Sequence, residues 1–287
     1  MNTEIKRATG LLIIEVINSN PNGDPDRESD PRQRPDGRGE ISPVSFKRKL
    51  RDLAEDKEGP VWQQLSQQMK LDQKEFVILE SRDTKKGDYK GAIKKELEDG
   101  ASAFKQKYWD GRIFGNTFLE EAMDKGTIKT GVVQFGLGLS ISPIEIERHT
   151  NTNKAGVEEG KTAGMAPMGY RFVQHGIYCM PFFVNPSMAH KSGCTAVDID
   201  LLKKLIPHAY AHTRSHARPF VDLRHAWYCE HNNPLGSCSD FALIDALRPK
   251  KKDDPSTSSK SWDDYDAPAE LPADLASKVV CIDLVGR

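Results

Sequence analysis

NSNPNGDPDRESDPRQRPDGRGEISPVSFKRKLRDL, residues 18–53, decides how this chain is parsed. It opens where the apolar run Leu11–Ile17 ends and closes on a segment rich in lysine and arginine. Between them the chain is Asn, Gly, Pro, Asp and Arg. Gly accepts positive φ, Pro fixes φ, and Asn and Asp bond their own backbone, so such a stretch is a long loop of turns. A connection of this length inside a compact domain is usually either a working loop or a disordered one, and here the reading is a working loop.

The helix that follows supports that reading. Ser42 is placed to cap it and Pro43 to occupy its first position, where a missing N–H costs nothing. Phe46, Leu50 and Leu53 recur at helical spacing and form the apolar face, which predicts a helix over 43–54. Lys47, Arg48 and Arg51 fall opposite, as an exposed cationic face. Like charges at i, i+4 are mutually destabilising, so an anion is the natural complement. Arg32, Arg34 and Arg38 in the loop extend the positive charge.

Working outward, Leu11–Ile17 is a buried strand, Val61–Leu71 a helical piece and Glu75–Glu80 a strand. Lys85–Lys107 reads as a partly helical excursion and Asn116–Met123 as a short amphipathic helix. Lys129–Ile141 alternates Val133, Phe135, Leu137, Leu139 and Ile141, the pattern of a strand. Its glycines, Gly136 and Gly138, leave one face bare for another backbone to approach. Tyr170–Val184 is a long strand or strand pair, Asp198–His216 a helix bent at Pro207, Phe220–Glu230 a strand, Phe241–Leu247 a helix and Lys278–Leu284 a last strand. Residues 248–274 have the Ser, Pro and Asp composition of an exposed or disordered segment. The class is α+β, compatible with a β-α-β-β-α-β ferredoxin-like core carrying insertions.

The order of several motifs resembles one family. NSNPNGDPD, FKRKLRD, WDGRIFG (109–115), TGVVQFGLGLSISPIE (130–145), PMGYRFV (167–173), TRSHARP (213–219) and HAWYCEHNNPLG (225–236) together resemble the backbone subunit of type I CRISPR RNA-guided surveillance (Cascade) complexes, in particular the type I-C branch. The resemblance implies an RRM-like palm, a helical finger insertion at 55–110 and a protruding thumb hairpin at 146–170. It implies a non-catalytic subunit that polymerises as a helical filament along the CRISPR guide RNA. The partners implied are that guide RNA, target DNA reached through the guide, further copies of the chain, and the large and guide-processing subunits. Asn20, Asn22, Arg32, Arg34, Lys47, Arg48 and Arg51 would hold RNA phosphates, with Arg112 and Gln134 carried over from their own motifs. Met165 and Met168 would be the thumb residues that wedge between bases.

Composition narrows the alternatives. Lys+Arg 41 against Asp+Glu 42 gives a net charge of −1, so polyanion binding must rest on local patches and not on overall charge. No apolar run reaches the roughly 18 residues of a membrane span, and Met1–Gly10 lacks the pattern of a secretory signal. The odd number of cysteines, 5, at irregular spacing fits reduced thiols in a cytoplasmic protein. His208, His212 and His216 share a helical spacing without an HExxH glutamate, so no metal is expected there, and Arg214 and Arg218 beside them suit phosphates better. No cofactor fingerprint is present. The acidic residues Asp24, Asp26, Asp30 and Asp36 leave one enzymatic alternative, a metal-dependent RNase acting on target RNA. A protein-only scaffold is the third reading.

Overall fold

The computed structural model describes residues 4–82, 101–115, 130–153 and 166–286. The apolar run becomes β1 (Ala8–Ser19), followed by β2 (Arg38–Ile41), α1 (Pro43–Glu55) and α2 (Pro60–Met69). Then come α3 (Ala101–Lys107), α4 (Trp109–Phe114), β3 (Val133–Phe135), β4 (Gly138–Pro143), β5 (Ile146–Asn153) and β6 (Ala166–Val184). The chain finishes with α5 (Ala196–Leu205), β7 (Val221–His231), α6 (Asp240–Leu247), the small ribbon β8 (Lys250–Lys251) with β9 (Tyr265–Asp266), and β10 (Val279–Asp283).

The main sheet runs β10-β7-β1-β6-β4-β2, with β3 and β5 also paired to β6. Taking β1, α1, β4, β6, α5 and β7 in order gives the β-α-β-β-α-β path and the central order β7-β1-β6-β4 of the ferredoxin-like fold. All these pairings are antiparallel.

β1 is apolar without alternation because both of its faces are covered. Leu12, Ile14 and Val16 pack with Phe46 and Leu50 of α1 and Leu201, Leu202 and Leu205 of α5. Leu11 and Ile13 face the other way, into a second cluster with Leu243, Ile244 and Leu247 of α6 and with Tyr265, Leu271 and Leu275. Residues 248–274 are therefore not a loose tail. Much of their surface is exposed, yet Ser259, Tyr265 and Leu271 are buried, and the Tyr265 hydroxyl meets Ser142 Oγ at 2.8 Å. Spaced apolar anchors in a polar stretch hide from composition alone.

β6, at 19 residues, is the spine. Val173–Val184 pairs with β1, while Ala166–Val173 pairs with β5, so this hairpin extends past the end of β1 beside the loop that follows it.

Several expected elements differ. Glu75–Glu80 is not a strand: a turn at Gln73–Glu75 leads to a single bridge from Val77 to Tyr108, and the Leu79 and Glu80 N–H groups donate to the Asp110 carboxylate at 2.6 and 3.1 Å. Lys129–Ile141 breaks into β3 and β4 opposite Pro181, whose carbonyl takes the Gly136 N–H at 2.8 Å. A Cβ on Gly136 would meet the Pro181 ring at 2.9 Å and one on Gly138 the Met180 methyl at 3.0 Å, so side chains of this chain fill the space left for another backbone. α5 stops at Leu205 and a 3-10 turn spans Ile206–His208, so His208, His212 and His216 share no helix face. Cys229 and Cys281, opposed across β7 and β10, form a disulfide, against the expectation of reduced thiols throughout. The helix expected at Asn116–Met123 lies outside the described residues, as does most of the Lys85–Lys107 excursion. Among the described residues no helix is long and apolar enough to cross a membrane.

Candidate nucleic-acid interface

The loop after β1 is folded on itself. Its sides are bridged at Gly23–Pro31 and Gln33–Gly39. Asn22 closes it onto the helix that follows: its Oδ1 accepts the Ser42 N–H at 2.8 Å, and its carbonyl accepts the Arg32 N–H at 3.0 Å. The acidic residues are turn formers and ion-pair partners. Asp24 Oδ1 accepts the Asp26 N–H at 3.2 Å, and Asp36 accepts the Arg38 N–H at 3.1 Å and pairs with its guanidinium at 2.8 Å. Asp30 is buried and ties the loop to the β5–β6 hairpin, holding Arg148 at 2.5 Å and Arg171 at 3.2 Å. Among the described residues, no three His, Cys, Asp or Glu side chains converge as a metal site.

α1 begins as its sequence directs, with the Ser42 hydroxyl accepting the Ser45 N–H at 3.2 Å and Pro43 in the first turn. Its outward face is not the array of free cations that spacing suggests. Arg51 is buried, paired with Asp110 at 2.9 Å and Glu80 at 3.1 Å. Arg48 donates to the Glu80 carbonyl at 2.6 Å. Arg112 is likewise buried, held by Asp198 at 2.7 Å and by the Glu75 carbonyl at 2.9 Å. Asp198 also closes the capping box of α5, so Arg112 joins α4 to α5. Arg51 and Arg112 are thus structural ions held in buried pairs with carboxylates, which corrects their assignment as phosphate contacts. Helical spacing could not show this, because their carboxylates come from distant segments.

Other cations remain available. Lys47, half-buried over the Phe114 ring at 5.2 Å, makes no ion pair among the described residues, and burial, then the nearby Arg51, lowers its pKa. Arg32 and Arg34 approach Glu40 only at 3.8 and 3.9 Å. Arg214 and Arg218 have no ion pair among the described residues. Gln134 is exposed on β3. Met165 lies outside the described residues; Met168 stands opposite Asn151 in the β5–β6 ladder, and its side chain is also outside the description.

The 209–218 turn brings in a residue that spacing did not single out. Lys49, buried beneath it, donates to Thr213 Oγ1 at 3.1 Å and lies 4.9 Å over the Tyr210 ring. Burial, with the Arg218 charge second, lowers its pKa to about 8. The only sequence signal was a cation between Phe46 and Leu50, a position near the apolar face.

Of these cations, Arg218 lies at the head of α1. A cleft of about 340 Å³ is lined by Asn20, Asn22 and Ser29 of the loop, Ser45 of α1, and Ala217 and Arg218. Asn20 is anchored there: its N–H bonds the Ala217 carbonyl at 2.8 Å and its Nδ2 donates to the Ser29 carbonyl at 2.8 Å. The Ser42 and Ser45 N–H groups at the start of α1 are already taken, so the Arg218 guanidinium, which has no ion pair among the described residues, is the feature of the cleft that favours an anion.

Comparison with known proteins gives three results. The family model for CRISPR-associated protein Cas7 matches residues 6–270. A CRISPR-associated protein Cas7 from Haloferax volcanii is 26% identical over 220 residues, covering 71% of this chain and 64% of that protein, so the chain spans less than two thirds of its relative's length. Among solved structures, a chain titled "CRISPR RNA-guided surveillance complex, pre-nicking" aligns with a TM-score of 0.50 at 13% identity, over 84% of this chain and 83% of that one. A chain from another "CRISPR RNA-guided surveillance complex" aligns at 0.47 and 15% identity, over 84% and 75%. At such identities the structural likeness concerns the fold.

Proposed function

The chain belongs to the CRISPR-associated Cas7 family, and from that premise we propose that it is a backbone subunit of an RNA-guided surveillance complex that binds the CRISPR guide RNA across the head of α1. The observation that carries this reading is the cleft at Asn20, Asn22, Ser45 and Arg218, with the buried Lys49 close enough to Arg218 to feel its charge. Arg32, Arg34 and Gln134 extend the contact surface, while Arg48 keeps part of its guanidinium for RNA. The division of labour is the one expected of RNA-guided effectors: protein holds backbone and shape, base pairing reads sequence.

The finer reading follows the type I-C resemblance. The subunit is non-catalytic, acts in the cytoplasm, and polymerises with copies of itself along the guide, presenting bases to target DNA beside the large and guide-processing subunits. Residues 55–110 serve as the finger. The 146–170 hairpin serves as the thumb, with Met165 and Met168 at the bases. A near-neutral chain suits this, because neutral subunits crowd along a polyanion without strong repulsion.

The test is the nucleic-acid content of purified protein, read from its ultraviolet absorbance ratio, together with binding to an oligoribonucleotide at several salt concentrations. Co-purified RNA and salt-dependent binding are expected. Failure to bind RNA at low salt overturns the reading. Cleavage of RNA with Mg²⁺ or Mn²⁺ that is lost in Asp30→Ala would replace it with the RNase alternative.

A further inference from the structure

Cys229 of β7 and Cys281 of β10 lie directly opposite each other and are joined as a disulfide across 52 residues of sequence. That interval holds α6, the β8–β9 ribbon, Leu271 and Leu275, which together cover the Leu11 and Ile13 face of the sheet. With the bond closed, this layer is pinned to the sheet at both ends. With the bond open, one end continues covalently from β7, and the other is held by edge-strand pairing and apolar packing alone. A cross-link removes conformational freedom from the opened state, so breaking it favours opening.

The two sulfurs differ in reach. Cys229 is fully buried, whereas Cys281 is half-buried on a strand that pairs only with β7 among the described residues. The pair also keeps its register without the bond. Leu284 N–H donates to the Ala226 carbonyl at 2.9 Å, and Asp283 accepts the Ala226 N–H at 2.9 Å and meets His225 Nδ1 at 2.8 Å. Reduced thiols at these positions therefore stay poised to close again. The other cysteines compete poorly, because the thiolate is the reactive form: burial pushes the Cys179 thiol up to about 12 and raises Cys194 and Cys238 as well.

We propose that Cys229 and Cys281 form a reversible redox clamp, which locks the 240–283 layer onto the sheet when oxidised and lets that layer open when reduced. In the cytoplasmic setting proposed above, thiol pools reduce an accessible disulfide, so such a bond responds to redox conditions and is not a permanent staple. The reductant is a dithiol. One of its thiolates attacks the Cys281 sulfur, the sulfur–sulfur bond breaks, and Cys229 leaves as a thiolate that takes up a proton. The second thiol then attacks the mixed disulfide, closes the reductant's own disulfide and releases Cys281, so two electrons and two protons pass to the protein. The clamp is independent of what the cleft binds. Cys229 pairs with Thr9 near the start of β1, about 30 Å along the strand from the loop that forms the cleft.

The test compares the full chain oxidised and after dithiothreitol, with thiols assigned by differential alkylation and mass spectrometry. Only Cys229 and Cys281 are expected to change between the two states. Amide hydrogen exchange then reads the clamp. Reduction should speed exchange over 240–283 by about thirty- to several-hundredfold and leave α1 unchanged. Glutathione disulfide should restore the slow exchange, and Cys281→Ser should exchange at the reduced rate with or without dithiothreitol. The proposal is overturned if oxidised protein lacks the Cys229–Cys281 link, if the native protein keeps that link in dithiothreitol, or if reduction leaves exchange over 240–283 unchanged. Equal acceleration along the whole chain also overturns it, since the bond would then stabilise the fold in general. If Cys281→Ser does not fold, the oxidised and reduced wild-type proteins decide alone.

Discussion

Arg51 of α1 and Asp110 of α4 meet at 2.9 Å with side chains 4% and 1% exposed. The carboxylate also takes the Leu79 and Glu80 N–H groups, so one buried acid fixes α1, α4 and the connection between them. Removing one member of such a pair leaves the other charge buried and unpaired. Arg51→Ala should therefore lower stability by about 3–5 kcal/mol, read as a fall in the urea midpoint. A variant with the wild-type midpoint would return Arg51 to the binding surface.

Arg218 and Lys47 should behave in the opposite way. Neither makes an ion pair among the described residues, so little folding free energy is tied to their charge. Alanine at each position should leave the melting temperature close to wild type and weaken RNA of any sequence. The slope of log affinity against log salt should become shallower by about 0.7 for each lost contact on a single strand. An unchanged slope in a folded double variant would show that these cations do not touch phosphates.

The contrast between these two pairs also shows how much the sequence could reveal. Local apolar spacing was enough for β1 and α1, because burial of one face or two is written there, whereas the central strand order came from the order of elements together with the family resemblance. Ser42 and Pro43 marked the start of α1, which depends only on neighbouring backbone groups. The exposure of Arg51, Arg112 and Lys49 was not legible, because it is set by Asp110, Asp198 and Tyr210, which arrive from remote segments. The break between β3 and β4 was hidden for the same reason: its cause, Pro181, lies on a partner strand.

The chain lies close to itself at several glycines, with different tolerance at each. A Cβ on Gly131 would run into the Ile113 carbonyl oxygen and the Gly115 nitrogen, both backbone atoms of the α4 terminus. One on Gly138 would meet the flexible end of Met180 at 3.0 Å. Backbone cannot step aside as a methionine methyl can. Gly131→Ala should cost about 3 kcal/mol and Gly138→Ala about 1 kcal/mol in denaturant unfolding. Equal losses would mean that α4 yields as readily as a side chain.

Lys49 couples the interface to pH. Burial and then Arg218 lower its pKa to about 8 from an ordinary value of 10.5, with Asp52 opposing the shift and Arg82 adding to it. The lowering means that folding disfavours the charged form. Between about pH 8 and 10.5 the unfolded chain holds a proton that the folded chain has released, so this group's contribution to stability rises with pH across that window. Lys57 contributes in the same sense from about pH 7, because burial lowers its pKa as well. RNA affinity should move the other way: as the ammonium beside Arg218 loses its proton above about pH 8, one cation leaves the interface and binding weakens. Lys49→Arg, which keeps its charge throughout this range, should hold affinity constant from pH 7 to 9. Lys49→Met should bind RNA more weakly at pH 7 and lose the upward trend of stability that this group supplies. Denaturation midpoints and RNA affinity measured at constant ionic strength on the three proteins check both halves. If wild type and Lys49→Arg lose affinity in parallel as pH rises, a group other than Lys49 is titrating at the interface.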